Sequence, residues 1–266
     1  MWQWQSSVSI VHPKQEPLET SMHQHLRTTR RTLALLALAA LPVLSSAATW
    51  QTSERWGNTT NGGYTLYNNI WGVGYGPQTL WVNSYSNWGV WANHPAGGGI
   101  KSYPNVTRQI GKRLSSIKTL SAKLSVVTPS GGAWSSTFDI WDNAHKHEIM
   151  LWLNYTGTAA GGGNVKPIAS QYDGAGNAVP AYKNVNVGGA TWNVFKGSNG
   201  ANQVYSFLRT SKSNTTTVDV KAILNWIRAR GWIGDITVGE VQYGFEITSS
   251  PGGLNFNVNG FAVTSN

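Results

Sequence analysis

Carboxylates stand within runs that otherwise read as β-strand, among them Asp139 in "STFDIWDN", Glu148 in "HKHEIMLWLNY", and Glu240 and Glu246 in "GEVQYGFEITS". A charge among Ile, Met, Leu and Trp is costly to desolvate unless it is paired, exposed or used. Strand periodicity offers a resolution, because residues two apart share a face. In the second run, Ile149, Leu151, Leu153 and Tyr155 make one face and Glu148, Met150, Trp152 and Asn154 the other. In the third, Val241, Tyr243, Phe245 and Ile247 oppose Glu240, Gln242, Gly244, Glu246 and Thr248. In the first, Phe138 and Ile140 point one way and Thr137, Asp139 and Trp141 the other. Each strand therefore offers an apolar face for a core and a face of acids, amides and indoles for a groove. Two carboxylates across a sugar-sized groove are the equipment for cleaving a glycosidic bond. One protonates the leaving oxygen, and the other attacks the anomeric carbon or activates water. Glu240 and Glu246 lie about 20 Å apart along an extended strand, so only one of them can work closely with Glu148. Alternation leaves that choice open.

Other chemistries fit less well. His145 and His147 could share a face, but no third ligand stands nearby, and they read as edge or loop histidines. "AAGGGN" and "PAGGG" read as turns, not phosphate loops, and no nucleophile-elbow serine is present. The chain has no Cys, which excludes thiolate metal sites, Cys nucleophiles and disulfides. No metal or organic cofactor is implied.

The elements that must position these acids are short, β-branched and aromatic, separated by Gly, Asn, Ser and Pro. Their number and spacing predict an all-β fold of sandwich or barrel type. One segment differs. "TVDVKAILNWIRARGWI" sets Val220, Ile223, Leu224 and Ile227 at helical spacing, with Asp219 at its start and Arg228 and Arg230 near its end, which suits the helix dipole. It predicts one helix packed against a sheet and ending at Gly231.

The 266-residue chain holds 14 Trp and 30 Gly, and only 12% of its residues are charged. Flat aromatic surfaces in a low-charge β protein suit the apolar faces of sugar rings, although most such Trp belong to cores and rims. The first 48 residues read differently. From Met22, basic residues (Arg27, Arg30, Arg31) precede an apolar run from Leu33 to Leu44 and a small-residue stretch ending at Ala48. That is the pattern of a secretory signal, too short for a permanent anchor. The expectation is a leader over 1–48, with Met22 as the true start, and a catalytic domain over 49–266, exported to the extracellular space through the periplasm. The formal charge is +9; the leader accounts for four basic and two acidic residues, which leaves +7 scattered over the domain. Scattered charge reads as solvated surface, so no nucleic-acid or membrane partner is expected. Nothing in the sequence points beyond a monomer.

Four stretches, "YNNIWG" (67–72), "GGIKSYPN" (98–105), "HEIMLWLN" (147–154) and "VQYGFEI" (241–247), resemble glycoside hydrolase family 12, the small endoglucanases and xyloglucanases. The likeness covers essentially all of residues 50–266. It implies a β-jelly-roll of two antiparallel sheets with a concave substrate groove and one outer helix. It implies Glu148 as nucleophile and Glu246, not Glu240, as acid/base, in a retaining endo-β-1,4-glucanase. Asp139 would hydrogen-bond the nucleophile, and Met150 would stand beside it. Asn69 and Trp71 would hold sugar on the non-reducing side; Trp88, Trp91, Trp141 and Trp152 are the further groove aromatics. Phe245, where many members carry a small residue, and the short loop from Asp139 to Glu148 are departures that bear on groove shape. The substrate would be a β-glucan: cellulose, mixed-linkage glucan or xyloglucan. The competing readings are a xyloglucan-specific enzyme, a xylanase of the related jelly-roll family, and a non-catalytic wall-polysaccharide binder.

Overall fold

The computed structural model describes residues 47–266. The expected leader falls almost entirely outside the described residues. Fifteen strands form two sheets. The six-stranded sheet runs in the order β1 (Trp50–Thr52), β4 (Gln78–Ser84), β5 (Asn87–Ala92), β15 (Leu254–Ser265), β7 (Leu120–Val127) and β13 (Thr215–Asp219). The nine-stranded sheet runs β10 (Tyr182–Val187), β11 (Ala190–Ser198), β12 (Gln203–Arg209), β9 (His147–Tyr155), β8 (Ala133–Asp142), β14 (Thr237–Ser249), β6 (Asn105–Arg113), β3 (Tyr64–Tyr67) and β2 (Asn58–Asn61). All pairings are antiparallel except β12 with β9.

The core lies between the sheets and draws on the alternation of both. Phe138 and Ile140 of β8, Ile149, Leu151 and Leu153 of β9, and Val241, Tyr243, Phe245 and Ile247 of β14 meet Leu80, Val82, Trp88, Val90, Phe256 and Val258 of the opposing sheet. The acid-bearing faces of β8, β9 and β14 are thereby turned away from the core. Tyr155 breaks the pattern. The ladder between β8 and β9 slips between the pairs Ser136↔Asn154 and Thr137↔Trp152, and Tyr155 then joins the outer face beside Met150 and Trp152 instead of the core. A bulge of this kind shifts every later side chain to the other face.

The predicted helix is α1 (Val220–Arg228), and Val220, Ile223, Leu224 and Ile227 are its buried residues. The Asp219 carboxylate accepts from the backbone N–H of Ala222 at 2.9 Å, a side-chain N-cap. The helix ends three residues before Gly231, which turns the chain at φ 67°. It packs near β7 of one sheet and β10 of the other.

Gly244 on β14 shapes the outer face. A Cβ there would lie 2.3 Å from the Pro104 carbonyl oxygen and 2.8 Å from the Tyr103 ring. The missing side chain lets the 103–104 segment press against the sheet beside the carboxylates. Gly244→Ala is expected to cost about 1–3 kcal/mol by overpacking. It should appear as a lower urea midpoint at unchanged m value. Gly260→Ala, where the added carbon meets only the Ser125 Cβ at 3.5 Å, should leave the midpoint unchanged or raised.

Candidate active site

The outer face of the nine-stranded sheet carries a groove of about 700 Å³ lined by Asp139, Glu148, Glu240 and Glu246, by Asn69, Trp71, Tyr103 and Trp141, and by Met150 and Trp152. The ladders set the array. Trp141 on β8 is opposite Glu148 of β9 on one side and Glu240 of β14 on the other. One row along, Asp139 stands between Met150 and Gln242. Glu246 is opposite Ser135, further down the same strand. By backbone register alone, then, Glu240 is level with Glu148, and Glu246 reaches the site along a diagonal across Asp139.

Their hydrogen bonds separate the two candidates. Both oxygens of Glu240 are held by amides: Oε2 accepts from Gln109 at 2.6 Å and Oε1 from Gln242 at 2.7 Å. Glu246 accepts only from the Ser135 hydroxyl, at 3.2 Å. Glu148 accepts from the Asn202 side-chain amide at 2.9 Å.

The electrostatics follow from desolvation. Burial pushes the Glu246 carboxyl up to about 7, and the nearby Glu148 charge adds to the rise, while the Ser135 hydroxyl opposes it. Burial also raises Glu148, with the Asn202 amide pulling it back by favouring the charged form. Asp139 is raised well above the ordinary range by burial, then by the charges of Glu148 and Glu246. The three titrate as a coupled set. All three are driven toward the neutral form, each opposed by one donor: the Trp141 indole at Asp139, the Ser135 hydroxyl at Glu246 and the Asn202 amide at Glu148.

One expected bond is replaced by another. Asp139 makes no hydrogen bond to Glu148. Its Oδ2 accepts from the Trp141 indole N–H at 2.9 Å, and its buried Oδ1 has no partner. The physical reason is the register, which sets Asp139 opposite Met150 and not Glu148.

Asn69 and Trp71 line the groove as expected. Asn69 adopts φ 43°, a left-handed turn that Asn tolerates better than most residues. Its side-chain amide donates to the Tyr103 backbone carbonyl at 3.1 Å, and its backbone carbonyl accepts from the Tyr103 N–H at 3.0 Å. The indole of Trp71 is 46% exposed. Met150 and Trp152 border the groove but are nearly buried, because Val165, Ile168 and Ala169 from the long loop after β9 pack on them.

Two expected groove aromatics lie elsewhere. Trp88 is fully buried between the sheets, edge-on to Phe245 at 6.0 Å. Trp91 is on the outer face of the six-stranded sheet, 37% exposed. Their spacing of three along β5 puts them on opposite faces, so they could not have lined one groove together. His145 lies, as expected, in the loop between β8 and β9, and from there it also lines the groove with its ring 5.3 Å from Trp141. Sequence reasoning missed Asn202, Ser135 and Tyr103. Asn202 precedes β12, whose parallel pairing sets Val204 opposite Glu148; no local pattern announces that neighbour. Among the described residues no group of three or more His, Cys, Asp or Glu is arranged to hold a metal ion.

This fold and groove define a β-sandwich glycoside hydrolase. A model of glycosyl hydrolase family 12 matches residues 20–266, and the chain belongs to that family. It is an enzyme of the endo-β-1,4-glucanase and xyloglucanase group. Similar solved structures include the xyloglucanase domain of NopAA, a type three effector from Sinorhizobium fredii, in complex with cellobiose. That domain is 54% identical with a TM-score of 0.81, over 82% of this chain and 100% of that one. A family 12 xyloglucanase from Bacillus licheniformis is 25% identical, TM-score 0.67, over 82% of this chain and 100% of that one. A probable xyloglucan-specific endo-beta-1,4-glucanase A from Aspergillus fumigatus is 30% identical over 250 residues, 87% of this chain and 98% of that protein.

The raised Glu246 has a stability consequence. The folded state holds a proton that the unfolded chain releases above about 4.5, so stability falls as pH rises from there through about 7. Glu246→Gln removes this term. It should leave the urea-derived stability little changed near pH 4 and raise it by about 1–3 kcal/mol at pH 8.

Proposed function

We propose that the chain is an exported retaining endo-β-1,4-glucanase with xyloglucan as its preferred polymer. The observation that carries the mechanism is the divergent treatment of two carboxyls in one groove. Glu246 is pushed to about 7 by burial and by the Glu148 charge, while the Glu148 anion is supported by the Asn202 amide. Burial raises both acids, and their unlike partners, an amide donor at Glu148 and a hydroxyl at Glu246, support the division into nucleophile and proton donor.

In the first step a Glu148 carboxylate oxygen attacks the anomeric carbon as the glycosidic C–O bond breaks. Glu246 gives its proton to the departing oxygen. Glu246, now ionised, then takes a proton from water, whose oxygen displaces Glu148 from the sugar and restores both groups. Burial and the charges of Glu148 and Glu246 favour the neutral form of Asp139, which spares the acid trio a second negative charge beside the Glu148 carboxylate. Asn69 and the exposed face of Trp71 hold the sugar on the non-reducing side.

The preference for xyloglucan is supported by what its relatives are called, since two of the solved structures above are xyloglucanases and the fungal relative is described as xyloglucan-specific. The shape of the neighbouring groove wall agrees with it. Gly98 and Gly99 border a side pocket continuous with Glu246, and a side chain at Gly99 would meet nothing within 4 Å, which leaves room for a branched backbone. Export rests on the 22–48 leader pattern.

Reducing-end release on xyloglucan, barley β-glucan and carboxymethyl-cellulose tests the reading. Xyloglucan should be cut fastest, and product formed at first should keep the β configuration by proton NMR. Glu148→Gln and Glu246→Gln should each lose on the order of 10³-fold in kcat, within the range of a positioned proton-transfer group. A product of inverted configuration would overturn the assignment of Glu148. A binder that cuts none of the three polymers would overturn the enzyme mechanism.

The kcat/KM profile should be bell-shaped, with its basic limb near pH 7 where Glu246 of the free enzyme loses its proton. Asn202→Ala removes the donor that favours the Glu148 anion, so the acidic limb should move to higher pH while the basic limb stays or moves down.

A further inference from the structure

The face of the six-stranded sheet turned away from the core lies on the opposite side of the sandwich from the groove. Its four strands β1, β4, β5 and β15 contain no Asp, Glu, Lys, Arg or His at all. The first charge on this face is Lys123, one strand further, on β7 opposite Ala262. A neutral surface of that extent is unusual in a chain of formal charge +9; scattered charges ordinarily keep such a face soluble and unpaired.

Two indoles lie on it. Trp81 of β4 is opposite Gly89 of β5. A Cβ at Gly89 would lie 2.5 Å from the Trp81 ring, so the ring rests over the glycine backbone. Trp91 of β5 is seated in the same manner: a Cβ at Gly253 would meet its ring at 2.6–2.9 Å. Gly253 has φ 82°, a conformation that itself favours glycine. Neither ring stacks on another aromatic side chain or a cation among the described residues. Each is paired with an amide. Asn255 is directly opposite Trp91, and Asn257 is opposite Gly89, on the far side of that glycine from Trp81. Phe256 and Val258 point into the core between them, so both amides point outward. Neither side-chain amide makes a hydrogen bond within the described residues.

We infer that Trp81, Trp91, Asn255 and Asn257 form a second binding surface for a neutral β-glucan chain, separate from the catalytic groove. The indole faces would stack on the apolar faces of successive sugar rings, and the two free amides would meet their hydroxyls. The absence of charge fits a polymer that has none, and it disfavours anionic polymers or membranes, which need cations. Such a surface would hold the enzyme on its substrate and raise the local concentration of chain ends and bonds at the groove. The inference rests on the reading that the chain acts on β-glucan, although it needs no particular catalytic residue.

The test is affinity electrophoresis of the whole chain, in a Glu148→Gln background, through gels containing xyloglucan or barley β-glucan. Trp81→Ala/Trp91→Ala and, as a milder pair, Asn255→Ala/Asn257→Ala are compared with the parent. The same substitutions in the active enzyme are assayed on a short soluble oligosaccharide that fits the groove alone. Retardation weaker by about tenfold in the Trp pair and by a smaller factor in the Asn pair, with unchanged oligosaccharide turnover, is the expected result. Unchanged oligosaccharide turnover also certifies that the variants fold. Unchanged retardation in both pairs would overturn the second surface, as would a parent that migrates as a dimer and variants that migrate as monomers. Loss of oligosaccharide cleavage by the unsubstituted enzyme would instead overturn the catalytic reading, while the retardation comparison would still decide the surface.

Discussion

Carboxyl groups on the outer face of a β-sheet normally keep their charge by keeping their water. Here Asp139, Glu148 and Glu246 share a groove whose walls remove much of that water, and each is driven toward its neutral form. Three such groups cannot all ionise at neutral pH. The remainder of the site decides which one does. Asn202 supports the charge on Glu148, the Ser135 hydroxyl is the hydrogen-bond donor to Glu246, and the Trp141 indole binds one oxygen of Asp139. Glu240, level with Glu148 in the ladder, is occupied at both oxygens by Gln109 and Gln242. Both of its oxygens are therefore committed to the groove wall, which supports the reading of Glu246 as the proton donor.

The scaffold supports this arrangement by separating two kinds of burial. One face of β8, β9 and β14 is packed against the opposing sheet, and that packing holds the strands in register. The other face is roofed only in part. The loop after β9 covers Met150 and Trp152, and Gly244 lets the 103–104 segment close down beside Glu246. Desolvation of the acids is a product of these second-layer contacts. A flat, fully wetted sheet carrying the same residues would leave the carboxyls in their ordinary range.

Much of this is legible from alternation. The inward and outward faces of β8 and β14, and most of β9, follow from period two, and the helix follows from the spacing of Val220, Ile223, Leu224 and Ile227. The neutral outer strands carry the same signal, with Trp88 inward and Trp91 outward on β5. Period two alone is enough to separate those two tryptophans. What alternation does not carry is the pairing between strands distant in sequence. The parallel union of β12 with β9 brings Asn202 to Glu148, and the slip in the β8–β9 ladder reverses Tyr155. The strand β6 is also illegible as a strand, since its second half, Gln109 to Arg113, is polar and mostly exposed. The choice of Glu246 over Glu240 comes from family likeness; the structure adds a physical distinction in the hydrogen bonds of each.

The central claim is that burial and the Glu148 charge together hold a proton on Glu246 near neutral pH. Carbon-13 NMR titration of the Glu246 side-chain carboxyl, in the whole chain and in Glu148→Gln, measures this directly. The account predicts a midpoint near 7 that falls in Glu148→Gln yet stays above 4.5, because burial remains. A midpoint near 4.5 in both proteins would contradict it.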